Sequence, residues 1–529
     1  MGYDWPRSLV QPSPNLLTAS AMSLIPARSN NRSVVPVASL RVPGLFWRVS
    51  QLIRLLNSST STRVALCLAV VIALILALRL IACSGVSQPS VTSTGPPVIT
   101  ASCGNANDGQ AHPPTNYTSF TPPPKGGTYI DSDFGCTVKR VSDAVNDFGA
   151  NTGVHHGYSL LSPFNANDTL LSLLVENGPG SYIADMNGSI VVPPANVVGN
   201  KSVQWDGSNP YVYWNTSGTR LLQVTINYSA SCASAHNCTV ASKVWHDFAA
   251  DGYTSIENME TGGSPISYDG DHVALAGMKA GSSVSDYYFV WKLSTNTVDY
   301  MPSGSGTAVW HPSGVTSMHA FQVTGKNSIK VTLTSTSYNN DVIWDGTNVY
   351  QFQVNGVHTD FGLDLAGNDV ALIDRDADTS DPCPNHGGSD VETNWTTSIS
   401  FSCWFDKNFE DGHTNYQGGP KQPLAVWSSF NDPNHPNIYN IPPESDWQAV
   451  WPQYAGEVVV ARVDANNHPA SIFRLAHHRS HPAYQNQFWR QPHASISRSG
   501  KYVMFDSDMG NTNSAGGNGY TDAYIIQLP

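Results

Sequence analysis

Between Arg474 and Lys501 the chain carries Arg474, His477, His478, Arg479, His481, Arg490, His493, Arg498 and Lys501, and not one Asp or Glu. Tyr484, Phe488 and Trp489 are interleaved with these cations. Arginine grips a carboxylate through paired hydrogen bonds, and a flat aromatic face offers a stacking surface for a sugar ring. Such a segment suits an acidic sugar. The reaction open to it is β-elimination at a uronate. Arginine or a metal neutralises the carboxylate, a base removes the C5 proton, and an acid protonates the leaving oxygen. Arg479, Arg490 and Tyr484 are candidates for that chemistry, with Trp489, His478 and His481 as sugar contacts. The bland alternative is a solvated loop whose Arg and His are structural.

Bringing such residues together requires a scaffold, and a recurring phrase supplies one. A polar residue, a Gly or Asn at a turn and then an apolar β-branched run appear at Phe164–Leu171, Asn215–Leu222, Ser267–Ala274, Asp364–Ala371 and Ser497–Met504. Asn167 to Gly218 is 51 residues, Gly218 to Gly270 is 52, and Gly270 to Gly367 is 97, close to twice that. A period near 50 residues is what four-stranded propeller blades give. The expected fold is an all-β propeller of seven blades over residues 128–529, with a Cys-clamped insertion around 376–420. A sandwich with generic turns is the competing reading.

A propeller brings the starts of its inner strands to one mouth of the central channel. His155 and His156 precede one apolar strand, and His358 precedes another turn phrase. With His493 and His477 they form a set of acid, base or metal-ligating candidates far apart in sequence. His413 lies in the expected insertion and could roof the same pocket. Taken singly, each histidine is more simply a satisfied structural residue. Asp506 to Asn511 has carboxylates at calcium-like spacing but no Glu at the twelfth position, so it reads as a turn. Serine-hydrolase elbows, HExxH helices and phosphate loops are absent from the sequence.

Gly127-Thr128-Tyr129-Ile130-Asp131, followed by Phe134-Gly135 and Val138-Lys139-Arg140-Val141, resembles the opening strand of exported bacterial propellers. The closing stretch Gln491–Ser497, with Val503–Asp508 and Asp522-Ala523-Tyr524, is similar to oligogalacturonate-lyase-like propellers and also resembles the propeller of the periplasmic Tol system. The lyase-like resemblance implies a divalent ion (manganese, calcium or zinc) held by histidines, including a His-Pro-His before the closing strand. Here that motif reads Gln491-Pro492-His493, so His493 matches the second histidine and Gln491 replaces the first. His358 and His477 are the further candidate ligands. Fold alone does not separate an enzyme from a non-catalytic surface module binding glycan or an envelope protein.

Val64–Ala82 is apolar apart from Arg79 and long enough to span a bilayer. Seven arginines against Asp4 precede it, so residues 1–63 read either as a basic cytoplasmic segment, with the rest outside, or as a leader upstream of the true start. Leu80-Ile81-Ala82-Cys83 resembles a lipobox, so two readings stand: a lipoprotein lipidated at Cys83, or an uncleaved signal-anchor over 64–83. A Ser/Thr/Pro/Gly-rich tether follows over 84–127. Subtracting the leader's +6 and Arg79 from the net −13 leaves about −20 on the exported part. That charge excludes general nucleic-acid binding, which needs spread Lys and Arg. The remaining cysteines fall as sequence neighbours, Cys103 with Cys136, Cys232 with Cys238, and Cys383 with Cys403, as disulfides of an exported protein would. Six cysteines allow 15 connectivities, so this pairing is one among them. The expected partners are the membrane and an acidic polysaccharide or envelope component.

Overall fold

Short apolar runs set off by turn residues satisfy their backbone groups by pairing. In the computed structural model they form seven antiparallel sheets. The structure describes residues 103–106, 108–117, 119–199, 203–257, 266–299, 307–351, 356–375, 388–393, 400–403, 412–416, 423–429, 451, 453–463, 469–480, 488–509 and 520–528. All belong to one compact unit, Ser93–Pro529. The leader, the expected span with Cys83, the tether up to residue 102, Cys383, His481 and Tyr484 lie outside the described residues. No helix among the described residues is long and apolar enough to cross a membrane.

Sheet 1 holds Gly153–His155, Leu170–Glu176, Gly180–Asp185 and Ile190–Val192. Sheet 2 holds Gln204–Trp205, Val212–Ser217, Arg220–Ile226 and Val240–Asp247, and sheet 3 holds Tyr253–Glu257, His272–Lys279, Tyr287–Lys292 and Thr297–Val298. Ser317–Val323, Ile329–Thr334, Asn339–Trp344 and Val349–Gln351 make sheet 4. Gly356–Leu363, Asp369–Arg375, Gly388–Thr393 and Ser400–Cys403 make sheet 5. Sheet 6 runs Gly412–Asn415, Leu424–Ser429, Glu457–Val463 and Pro469–His477, edged by Asn105–Ala106. Sheet 7 joins Ser495–Ile496, Tyr502–Ser507 and Asp522–Gln527 to the earlier strands Thr137–Arg140 and Thr128–Ile130. The stretch expected as an insertion thus supplies regular strands to sheets 5 and 6.

Apolar clusters lie between consecutive sheets and close them into a ring. Leu170 and Ile183 pack with Trp205 and Tyr213, Trp214 and Leu221 with Val273 and Phe289, and Ala274 and Val290 with Phe321 and Val331. Gln322 donates to the Thr359 carbonyl between sheets 4 and 5. Val370 and Leu372 meet Ala425 and Trp427, Val426 and Val458 meet Ile496 and Phe505, and Met504 and Ile525 meet Val154 and Leu171. Sheet 7 fastens the two ends of the described chain, with Val138 opposite Ile526 and Arg140 paired to Asp522 at 2.7 Å. The result is an all-β propeller. Disulfides Cys103–Cys136 and Cys232–Cys238 are both formed.

The recurring turn phrase has a mechanism. A polar side chain accepts backbone N–H groups further along, as Asn165 does from Thr169 and Leu170 and Ser497 from Lys501 and Tyr502. A left-handed residue then closes the turn: Asp168 at φ 56°, Gly270 at 76°, Gly367 at 78° and Gly500 at 70°. The Asn215–Leu222 copy differs, being the hairpin between the second and third strands of sheet 2, whose own first turn starts at Asp206. Thr324–Ser328 is an additional copy, missed because Asn327 takes the left-handed position that a glycine holds elsewhere (φ 64°). These turns meet at one end of the axis. Ser499 donates to Asp168, and Arg498 Nη1 donates to the Ser267 and Tyr268 carbonyls at 2.9 Å each. The first strand of every sheet therefore begins at the opposite, upper end.

His272, at the start of the second strand of sheet 3, carries a pH-dependent clamp. Its Nδ1 lies 2.8 Å from Asp269 Oδ2 and its Nε2 3.0 Å from Asp299 Oδ2. Burial alone would lower its pKa, but the two carboxylates outweigh burial and raise it. A raised histidine pKa contributes stability that is complete below the unfolded value of about 6.5 and is lost as pH rises through the folded value. His272→Gln should therefore destabilise at pH 6 by about 0.5–1 kcal/mol and by less at pH 8. Urea unfolding at the two pH values checks this; an equal loss at both would remove the clamp.

Candidate functional site

Three consecutive sheets, 6, 7 and 1, each deliver a histidine to the upper part of the axis. His413 sits on the first strand of sheet 6, next to Gly412, where a Cβ would lie 2.5 Å from the Trp427 indole nitrogen. His493 precedes the first strand of sheet 7 and adopts a left-handed backbone, φ 42°. Its segment is pinned to sheet 6 by Ala494 N–H donating to Ser428 Oγ and Ile496 N–H donating to Asn415 Oδ1. The His413 and His493 ring centres are 4.1 Å apart. Tyr158 lies 5.5 Å from the first and 5.4 Å from the second. Trp489 lies 5.7 Å from His493 and stacks on His155 at 4.0 Å.

His155 Nδ1 faces the His156 carbonyl, so it carries the proton and leaves Nε2 with the lone pair. That Nε2 is buried without a hydrogen-bond partner, Glu176 being 3.8 Å away. Beneath it His156 Nδ1 lies 2.9 Å from Asp506 Oδ2, an ion-pair contact not aligned as a hydrogen bond. Arg490 Nη1 lies 3.5 Å from Asp508 Oδ2, and burial lowers the arginine's pKa against the opposing carboxylate. Two imidazoles 4.1 Å apart repel each other when both are charged, which favours a neutral ring at one of His413 and His493. His493 is one of a few strained positions. Among the described residues, the left-handed positions that are neither Gly, Asn nor Asp are His236, Tyr454, Arg479, His493 and Met509, and such positions cluster at working sites.

Of the other sequence candidates, His477, His478 and Arg479 lie away from these imidazoles. His358 is on the first strand of sheet 5, and His319 occupies the first strand of sheet 4, so five of the seven first strands carry or follow a histidine near their start. His477 ends the fourth strand of sheet 6, at the rim. His478, buried beside it, has its pKa pushed down to about 3 by burial, and its Nδ1 accepts Ser480 N–H. Arg479 lies over the Phe120 ring at 4.3 Å, away from the axial imidazoles, with Nε and Nη1 buried and lacking hydrogen-bond partners. The "cationic segment" is thus a connector running from rim to axis. His413, Tyr158 and Asp506 are the site residues that sequence reasoning underrated; His413 stands out only once Gly412–Asn415 is known to be a first strand.

Two places could hold a metal. Among the described residues, Asp131, Asp133 and His477 form a group whose ligand atoms lie within 4.8 Å of one another. His477 Nδ1 lies 3.1 Å from Asp131 Oδ2, and its Nε2 lies 2.6 Å from the His112 carbonyl. With acceptors on both nitrogens the ring is an imidazolium, which cannot ligate; burial opposes that charge, but Asp131 raises the pKa. A metal there requires His477 to lose a proton. At the axis, His155 Nε2 and Gln491 Oε1 are buried atoms without hydrogen-bond partners; Trp489 lies between the His155 and His493 rings, and Gln491 is two residues before His493. That nitrogen-rich donor set suits manganese or zinc better than calcium.

No family model matches the sequence, and no curated protein matches it. Solved structures similar to it include an oligogalacturonate lyase in complex with manganese, at 13% identity and TM-score 0.46, covering 76% of this chain and 96% of that one. An oligogalacturonate lyase from Vibrio parahaemolyticus matches at 12% identity and TM-score 0.45, over 76% and 96% of the two chains. An ulvan lyase of a polysaccharide lyase family matches at 8% and 0.32, over 72% and 95%. Likeness this distant decides nothing about chemistry. The chain is similar to oligogalacturonate lyase and polysaccharide lyase propellers.

Proposed function

We propose that the chain is an exported, membrane-tethered, seven-bladed propeller that acts on or binds an acidic polysaccharide at its axial histidine cluster, with β-elimination as the reaction. The carrying observation is the meeting of His155, His413 and His493 with Tyr158 and Trp489 from three consecutive sheets. Trp489 supplies a sugar-stacking face and Arg490 a cation for the carboxylate. A neutral imidazole, His493 or His155 through Nε2, is placed to take a proton, and the Tyr158 hydroxyl is a candidate to deliver one. A divalent ion held by His493, Gln491 and His155 would polarise the uronate carboxylate and leave His413 as the base, since a ligating nitrogen cannot also take the proton.

Burial favours a second reading. His155, His156, His413 and His493 are all 0% exposed, as a structural plug would be, and a non-catalytic module would then bind glycan on its outer face. Incubating the full-length chain with polygalacturonate, alginate and neutral dextran separates the two. Unsaturated products from an acidic polymer support the enzyme, retention without cleavage supports the binding module, and indifference to all three polymers contradicts both.

A further inference from the structure

Three residues of sheet 3 and His311, from the segment that follows it, form a radial row on the upper end, outside the axial cluster. Tyr253 begins the first strand, Lys279 ends the second, and Tyr287 begins the third. His311 follows beyond, its ring stacked on Tyr287 at 4.0 Å with an interplanar angle of 2°. Its Nδ1 donates to the Asp286 carbonyl at 3.0 Å, which fixes the ring's orientation. Lys279 Nζ lies over both tyrosine faces, 4.6 Å from the Tyr253 centroid and 4.9 Å from that of Tyr287. Gly277 makes room for this arrangement, since a Cβ there would meet the Tyr253 ring at 2.4 Å.

The chemistry of this row is unlike that of its surroundings. Lys279 makes no ion pair with any described residue, in a domain carrying about −20. Cation–π contacts hold the ammonium in place without neutralising it. An ordered cation on a partly exposed aromatic surface offers a sugar ring its stacking face and a carboxylate its counter-charge. The row starts at the first strand, on the same end of the propeller as the axial histidines, and runs outwards.

We propose that Lys279, Tyr287 and His311 form a secondary subsite for an acidic glycan, holding the part of a long uronate polymer that extends beyond the axial cluster. This rests on the acidic-polysaccharide reading and extends it to a second place. Asp286 Oδ2 lies 3.8 Å from His311 Nδ1 and Asp251 is close to Tyr253, so a carboxylate placed away from Lys279 is repelled.

The test is binding of oligogalacturonides of graded length to the full-length chain by calorimetry at low salt, beside neutral oligosaccharides. Lys279→Ala should weaken binding of long oligomers about tenfold, the scale of one charge-assisted hydrogen bond, and leave dimers and trimers unchanged. Lys279→Arg should keep the affinity, and His311→Ala should lower it for long oligomers alone. Unchanged affinity of Lys279→Ala for long oligomers, with His493→Asn still lowering cleavage, would overturn the subsite and spare the axial reading. Equal weakening for short and long oligomers would likewise overturn it. No binding of any acidic oligomer by the unaltered chain would overturn both.

Discussion

His493→Asn is expected to lower cleavage of an acidic polysaccharide at least about 10²-fold, the lower end of what a positioned acid or base contributes, while leaving the unfolding temperature near that of the unaltered chain. The choice of asparagine matters. His493 sits at φ 42°, a conformation that costs most residues about 1–2 kcal/mol and that asparagine tolerates. Alanine would mix that strain with loss of the imidazole. His413→Asn should behave similarly, since the two rings are 4.1 Å apart and share Tyr158. Steady-state rates together with thermal unfolding check the pair. Full activity in a stably folded His493→Asn would show that the ring has no part in the chemistry.

The largest loss of stability is expected at Arg474, which no ligand needs. Its side chain is fully buried; Nε and Nη2 pair with the Glu457 carboxylate at 2.7 and 2.5 Å. Nη1 donates to Asp108 Oδ1 and the Gln110 carbonyl, both at 2.8 Å. The guanidinium also lies between the Phe134 and Tyr454 rings. It joins sheet 6 to the early segment that continues into sheet 7, so it fastens the ring closure. Arg474→Met strands a buried carboxylate and should cost about 3–5 kcal/mol, whereas Arg474→Met with Glu457→Met should recover most of that loss. Urea unfolding of the two variants checks it. A single variant as stable as the parent would mean that the pair is not buried in solution.

Much of this architecture was legible because turn chemistry is local. The Ser497–Lys501 and Ser267–Asp271 turns follow from side chains that accept nearby N–H groups and from residues that allow a positive φ. Blade boundaries were harder, because a hairpin such as Asn215–Thr219 uses the same residues one strand later. The grouping of His155 with His493 was accessible from strand starts alone. The separation of Arg474, His477 and Arg479 from the axis was not, because it depends on a connector crossing a whole sheet. Acidic partners from distant segments, Asp108, Asp131 and Glu457, neutralise what looks in sequence like a free cationic patch. Acid-free sequence is therefore a weak sign of acid-free surroundings.

The most direct test is a crystal structure of the full-length chain bound to a uronate trimer. The account predicts the trimer at the upper end of the axis, with a sugar face on Trp489, a carboxylate near Arg490, and the C5 carbon within reach of an imidazole of His155, His413 or His493. A trimer bound only elsewhere on the propeller, with those histidines still packed against one another, would contradict it.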